Sequence, residues 1–176
     1  VTITNTGGPT TADAGSDESV CGTSATLNGN APTVGSGQWT VISGSGSFAD
    51  AGSPTSGVTG LSPGANVFQW TISNAPCTPS SDQVTITSVS APTTANAGDD
   101  QIICATSTSL TANTATSGAG QWTVVSGTGT FADASDPSTS VTGLSVGDNI
   151  FEWTITNDPC PPSSDQVTIT NTGGPS

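Results

Sequence analysis

The sequence predicts an all-β protein built from tandem β-sandwich repeats. Three observations carry that prediction. Cys21, Trp39, Trp70 and Cys77 recur as Cys104, Trp122, Trp153 and Cys160, each 83 positions later, with no insertion or deletion between them. Apolar and polar residues alternate with a period of two, the strand signature. Gly, Pro, Asn and Ser punctuate the chain every 8–12 residues, the spacing of short sandwich strands. No stretch shows helical spacing.

The elements follow in chain order. Val1-Thr2-Ile3-Thr4 stands one step before Val84-Thr85-Ile86-Thr87, itself one step before Val167-Thr168-Ile169-Thr170. Val1–Thr4 is therefore expected to be the last strand of a preceding repeat. Residues 1–10 form that strand and its linker, residues 11–90 a first sandwich and residues 91–176 a second. Residues 11–93 and 94–176 are identical at about three positions in five. A period this regular marks an array of stacked or strung units.

Within the first repeat, Gly35-Ser36-Gly37 precedes a strand in which Trp39 and Val41 point inward and Gln38, Thr40 and Ile42 outward. Ser43-Gly44-Ser45-Gly46 ends it. Ser62-Pro63-Gly64-Ala65-Asn66 turns the chain into a second Trp strand, where Phe68, Trp70 and Ile72 share a face. Val84 and Ile86 alternate with Gln83, Thr85 and Thr87 in the closing strand. The inward set is Leu27, Trp39, Val41, Phe48, Val58, Leu61, Phe68, Trp70, Ile72, Val84 and Ile86. Its counterpart is Leu110, Trp122, Val124, Phe131, Val141, Leu144, Phe151, Trp153, Ile155, Val167 and Ile169. Ser88 to Asn96 reads as a short, semi-stiff linker of small residues.

Composition narrows function sharply. There are 13 acids and no Lys, Arg or His, for a formal charge of −13. Nucleic-acid binding needs Lys or Arg to displace counterions, and anionic membranes ask for the same cations. Without His or Lys there is no ordinary base for a Ser nucleophile and no Schiff base. Paired carboxylates could serve a glycosidase, but a site copied into both of two small repeats does not suit an enzyme. We therefore expect no enzyme, no nucleic-acid partner and no membrane insertion in this segment. No apolar run is long enough to span a bilayer and no signal peptide is present, so targeting information is expected elsewhere in the parent protein. Hydrophobic content is 31% and about a third of the chain is Ser plus Thr, yet the apolar residues keep strict patterns, which a disordered chain lacks.

Two cysteines per repeat at identical spacing point to disulfides through Cys21, Cys77, Cys104 and Cys160, and so to an oxidising, extracellular compartment. Zinc would want a close Cys-x-x-Cys knuckle, and none occurs. Two pairings stand open. Within repeats, Cys21–Cys77 and Cys104–Cys160 would each close a long loop. Against this, Cys21 is expected where the chain leaves the sandwich and Cys77 where it arrives, roughly 25 Å apart across strands of seven or eight residues. Bridged Cα atoms lie within about 7 Å. The alternative is a cross-junction ladder, Cys21 to Cys160, with Cys77 pairing backward and Cys104 forward along the array.

Three acids recur in register: Asp17/Asp100, Asp50/Asp133 and Asp82/Asp165. Asp82 and Asp165 precede the last strand, where a short carboxylate can accept from turn amides. Calcium is the functional alternative, with Asp99, Asp100 and Asp165 as candidates, because oxygen-only ligands suit a hard cation. No ordered Asp-rich loop is present, and no other cofactor is expected. The four Trp residues sit in core register, which favours packing over sugar stacking. No Asn-x-Ser/Thr sequon occurs, and no Lys or Arg offers trypsin a site.

Each repeat has the form Ala-Gly-x-Asp…Cys…Leu…Gly-x-Gly-Gln-Trp-Thr-Val…Phe…Val-Thr-Gly-Leu-Ser…Gly-x-Asn…Phe-x-Trp-Thr-Ile…Cys…Ser-Ser-Asp-Gln-Val-Thr-Ile-Thr. Over both repeats this resembles the immunoglobulin-like, PKD-like repeats of giant surface proteins of the Bacteroidetes, including gliding adhesins and fibrous appendages exported by the type IX secretion route. The resemblance implies a seven-stranded sandwich at the cell surface and brings no catalytic residues. The family's habit of carrying both cysteines in one unit favours pairing within repeats. The expected function is a structural repeat of an extracellular filament or adhesin stalk, a disulfide-stabilised spacer that works beside identical chains in a bundle. A carbohydrate- or surface-binding module is the alternative.

Overall fold

A computed structural model describes residues 1–2 and 7–174. The chain divides into two compact units, residues 1–90 and 91–176. The expected leading strand Val1–Thr4 falls partly on residues outside the described set.

Among the described residues, seven strands build the first unit: β1 (Glu18–Cys21), β2 (Ser24–Thr26), β3 (Ser36–Ser43), β4 (Ser47–Phe48), β5 (Gly57–Thr59), β6 (Gly64–Ser73) and β7 (Ser80–Val89). They form two sheets, ordered β1-β7-β6-β3 and β2-β5-β4. The second unit repeats them as β8 (Gln101–Ile103), β9 (Ser107–Ser109), β10 (Ala119–Ser126), β11 (Thr130–Phe131), β12 (Ser140–Thr142), β13 (Gly147–Asn157) and β14 (Cys160–Asn171). Its sheets run β10-β13-β14-β8 and β11-β12-β9. Among the described residues all strand pairs are antiparallel except two. β1 lies parallel to β7, Glu18 opposite Ile86 through Cys21 opposite Val89, and β8 lies parallel to β14. This is an immunoglobulin-like β-sandwich in each unit.

The core of each unit lies between its two sheets. In the first, Leu27, Trp39, Val58, Leu61, Phe68, Trp70, Ile72, Val84 and Ile86 are buried and Phe48 packs against them half-buried. The second unit buries the matching residues, with Phe131 half-buried. Trp39 and Trp70 face each other across β3 and β6, ring centroids 4.9 Å apart. Trp122 and Trp153 do the same at 5.2 Å. Gly37 makes room for this pair, because a Cβ there would collide with the Trp70 indole, and Gly120 stands in the same relation to Trp153.

Two core expectations are corrected. Val41 and Val124 are not buried but 39% and 42% exposed. Both sit on edge strands beside a break in register, between Val41 and Ser43 and between Val124 and Ser126. A bulge of this kind bends the strand away from its partner, so the inward face loses its cover there. Conversely, Ala12, Ala14, Ala95 and Ala97 are buried core residues that alternation among larger side chains did not reveal.

The linker also needs correction. β7 runs on to Val89, and Ser88 is buried with its hydroxyl donating to the Gly22 carbonyl at 2.7 Å. Further on, Thr93 N–H donates to Ser117 O, Ala95 N–H to Ser163 Oγ and Ala97 N–H to Asp165 Oδ2. Most of the expected linker is thus fastened to one sandwich or the other.

Candidate functional site

The cysteines mark the two ends of each sandwich. Cys21 closes β1 opposite Val89, the last residue of β7. Cys77 lies in the turn between β6 and β7, its amide donating to Asn74 O at 2.9 Å. The whole of β7, Ser80–Val89, separates the two. Ten strand residues span roughly 30 Å, well beyond the reach of a disulfide. In the second unit Cys160 opens β14, whereas Cys104 follows Ile103, which pairs with Asn171 at the far end of β14. Pairing within repeats is therefore corrected: the parallel β1–β7 register puts each unit's cysteines at opposite ends. Cys21 and Cys160 are each held in a disulfide, and Cys104 carries an exposed thiol.

The recurring acids serve the backbone. Asp82 Oδ2 accepts from Ala14 N–H at 2.8 Å and Asp17 Oδ1 from Thr85 N–H at 2.8 Å. Asp165 and Asp100 repeat these bonds with Ala97 and Thr168. Asp50 and Asp133 accept from Gly52 and Ser135 two residues on. Asp82 and Asp165 lie inside the last strands rather than in turns before them, since β7 begins at Ser80 and β14 at Cys160. The Ser135 hydroxyl, donating at 2.7 Å, together with backbone N–H groups, holds the Asp133 carboxyl below its ordinary value.

The calcium candidates are not brought together. Asp165 faces Ala97, while Asp100 meets the amide of Thr168, three residues further along β14 and roughly 10 Å away. Among the described residues no three His, Cys, Asp or Glu side chains gather as a metal group.

Two buried asparagines had no place in the expected core. Asn66 and Asn149 are fully buried. Asn66 Oδ1 accepts from Ser45 N–H, Ser62 N–H and Ser62 Oγ, and its Nδ2 donates to the carbonyls of Ser62, Gly64 and Ile86. Asn149 does the same with Thr128, Ser145, Gly147 and Ile169. The repeated Leu-Ser-x-Gly-x-Asn was the available signal, readable only as a turn without the fold.

All four indoles are at most 2% exposed. Trp39 Nε1 donates to Ser53 O and Trp70 Nε1 to Asn30 O, each at 3.1 Å, while the indole nitrogens of Trp122 and Trp153 are buried without an acceptor. Sugar stacking needs an open ring face, and none of these rings offers one. An open groove of about 550 Å³ crosses the outer face of β3 and β6, lined by Gln38, Thr40, Gln69 and Thr71 among others, with no aromatic and no charge. Among the described residues no helix is long and apolar enough to cross a membrane, which says nothing of a β-barrel.

No protein-family profile and no curated protein matches the chain. Solved structures do. The immunoglobulin domains 1–5 of Sidekick-1 match 96% of this chain and 40% of theirs at 13% identity and a TM-score of 0.59. The insect immune protein hemolin, whose domain arrangement is described with implications for homophilic adhesion, matches 93% of this chain and 46% of its own at 13% identity and a TM-score of 0.53. A PKD domain from the KIAA 1837 protein covers 51% of the chain at 26% identity and a TM-score of 0.40. The chain spans less than half the length of the Sidekick-1 and hemolin structures it matches. At 13% identity the likeness to Sidekick-1 and hemolin defines the class, tandem immunoglobulin-like β-sandwiches, and shows the fold alone.

Proposed function

We propose that this chain is a structural segment of an extracellular filament or giant adhesin stalk, a spacer whose sandwiches are stapled end to end by disulfides. One observation carries the reading: each unit places one cysteine at its trailing end and the other at its leading end, Cys77 in the β6–β7 turn and Cys160 at the first residue of β14. Cysteines so placed do little for an isolated sandwich and suit a chain of them. In this reading Cys21 bridges to Cys160, and the exposed Cys104 thiol waits for the next repeat along the array. Identical chains packed side by side are the partners. The apolar pairs Val41-Ile42 and Val124-Val125, half-exposed on edge strands in both units, recur at the repeat spacing, so neighbouring arrays in register match at every repeat. The sequence resemblance supports a place on the surface of a Bacteroidetes cell, reached by the type IX route.

Electron microscopy of the native material tests this. Fibres with a periodic beaded axis are expected. Monodisperse two-bead particles would overturn it.

A further inference from the structure

Residues 1–9, Val-Thr-Ile-Thr-Asn-Thr-Gly-Gly-Pro, are identical to residues 167–175. The equivalent stretch between the two repeats, residues 84–92, reads Val-Thr-Ile-Thr-Ser-Val-Ser-Ala-Pro. The opening residues therefore copy the end of the second repeat and not that of the first, a step of 166 from residue 1 to residue 167. The match ends at Thr10, where residue 176 is Ser.

The structure shows this shared stretch in two settings. At the trailing end of the second unit, Asn171 is buried and its Oδ1 accepts from Gly173 N–H at 3.0 Å. Gly173 takes φ +76°, a conformation glycine adopts without penalty. Thr172 N–H and Oγ1 both donate to Ile103 O, at 2.8 and 3.1 Å. At the leading end of the first unit, Asn74 Nδ2 donates to Gly7 O at 2.7 Å, and Thr10 N–H donates to Val34 O at 3.0 Å. Gly7 is the counterpart of Gly173. The corresponding residues at the end of the first repeat differ in kind: Ser88 stands where Asn171 does and bonds Gly22 O, and Ser90 stands where Gly173 does.

We propose that the array is built from this two-repeat pair rather than from single repeats, with a second copy following head to tail. One glycine is clasped where copies meet, its N–H by Asn171 of the earlier copy and its C=O by Asn74 of the later one. Junctions then alternate in kind, a glycine clasp at one and a Ser-Val-Ser-Ala strap at the next. This rests on the reading of the chain as part of an array.

The test uses the two glutamates, Glu18 and Glu152. Native protein is reduced, digested with a Glu-specific protease and mapped by mass spectrometry. Two recurring peptide classes are expected. One runs Ser19–Glu152; the other starts at Trp153, passes Ser176 and ends in a counterpart of residues 11–18. If the Trp153 peptide instead continues into a counterpart of 94–101 and extends one full 83-residue step, single repeats are the unit, and the alternation is wrong while the array survives. If no peptide recurs, the array reading itself fails. The clasp has its own measure in this chain. Asn171→Ala should speed hydrogen exchange at the Gly173 amide about tenfold, and Asn74→Ala should shift the Gly7 carbonyl carbon resonance. Unchanged values would remove the clasp.

Discussion

The backbone amide of Ala14 donates to the carboxylate of Asp82 across 68 residues of sequence, at 2.8 Å, and Ala97 donates to Asp165 at the same distance. These bonds fasten the segment before β1 to the last strand of each sandwich. Asp82→Ala leaves a part-buried amide without its acceptor, an effect of about 1–3 kcal/mol. Denaturant midpoints should fall accordingly, with faster exchange at the Ala14 amide. An unchanged midpoint would show that the segment docks through its alanines alone.

Asn66 has more at stake. Its side chain serves six hydrogen-bonding groups at full burial. Asn66→Ala strands several of them, and a loss of roughly 2–4 kcal/mol follows from the cost of unpaired buried groups. Asn66→Asp keeps the acceptor but not the donor, and should lie between the two. Equilibrium unfolding of both variants checks the order.

The indoles give a spectroscopic test that also separates core from binding platform. All four Trp residues should resist acrylamide quenching in the folded protein and become accessible on unfolding. Gly37→Ala forces a Cβ into the Trp70 ring, so it should lower stability by about 1–3 kcal/mol and alter the emission. Strong quenching of native Trp39 or Trp70 would restore the carbohydrate-binding alternative.

Asp133 provides a pH test. Its carboxyl is held low chiefly by the Ser135 hydroxyl. A depressed folded value means the contribution is present above the unfolded carboxylate value, near 3.8, and is lost as pH falls through the lower folded one. Titration followed by carboxyl NMR should find Asp133 below the ordinary range and Ser135→Ala should raise it. Because the group is exposed, the thermal midpoint near neutral pH should not move.

Non-reducing peptide mapping addresses the bridges, using cleavage at acids or aromatics. A peptide joining Cys21 to Cys160 is expected. One joining Cys21 to Cys77 would contradict the placement of those residues at opposite ends of β7.

Much of this fold was legible because large side chains at period two define a sandwich face. Phe68, Trp70 and Ile72 could hardly point elsewhere. Val41 failed because alternation says which way a residue points, not whether an opposing sheet reaches it, and β3 is an edge. Ala12 and Ala14 escaped because alanine carries little hydrophobic signal, and Asn66 because a polar residue is read as a turn until its six partners are in view. The cysteines show a different limit. The family resemblance favoured closure within a repeat, whereas the strand order inferred from sequence already set the two cysteines at opposite ends, and the parallel β1–β7 register decides between them.

That register also bears on how a unit would answer to tension. A pull on its two ends drags β1 and β7 in opposite directions along their common axis, because the neighbours run the same way. Their hydrogen bonds lie across the pull, so they are sheared together and must break nearly at once. An antiparallel pair joined at a hairpin would instead unzip one bond at a time. Under such a load each sandwich would act as a latch, held by the collective strength of bonds that are individually weak.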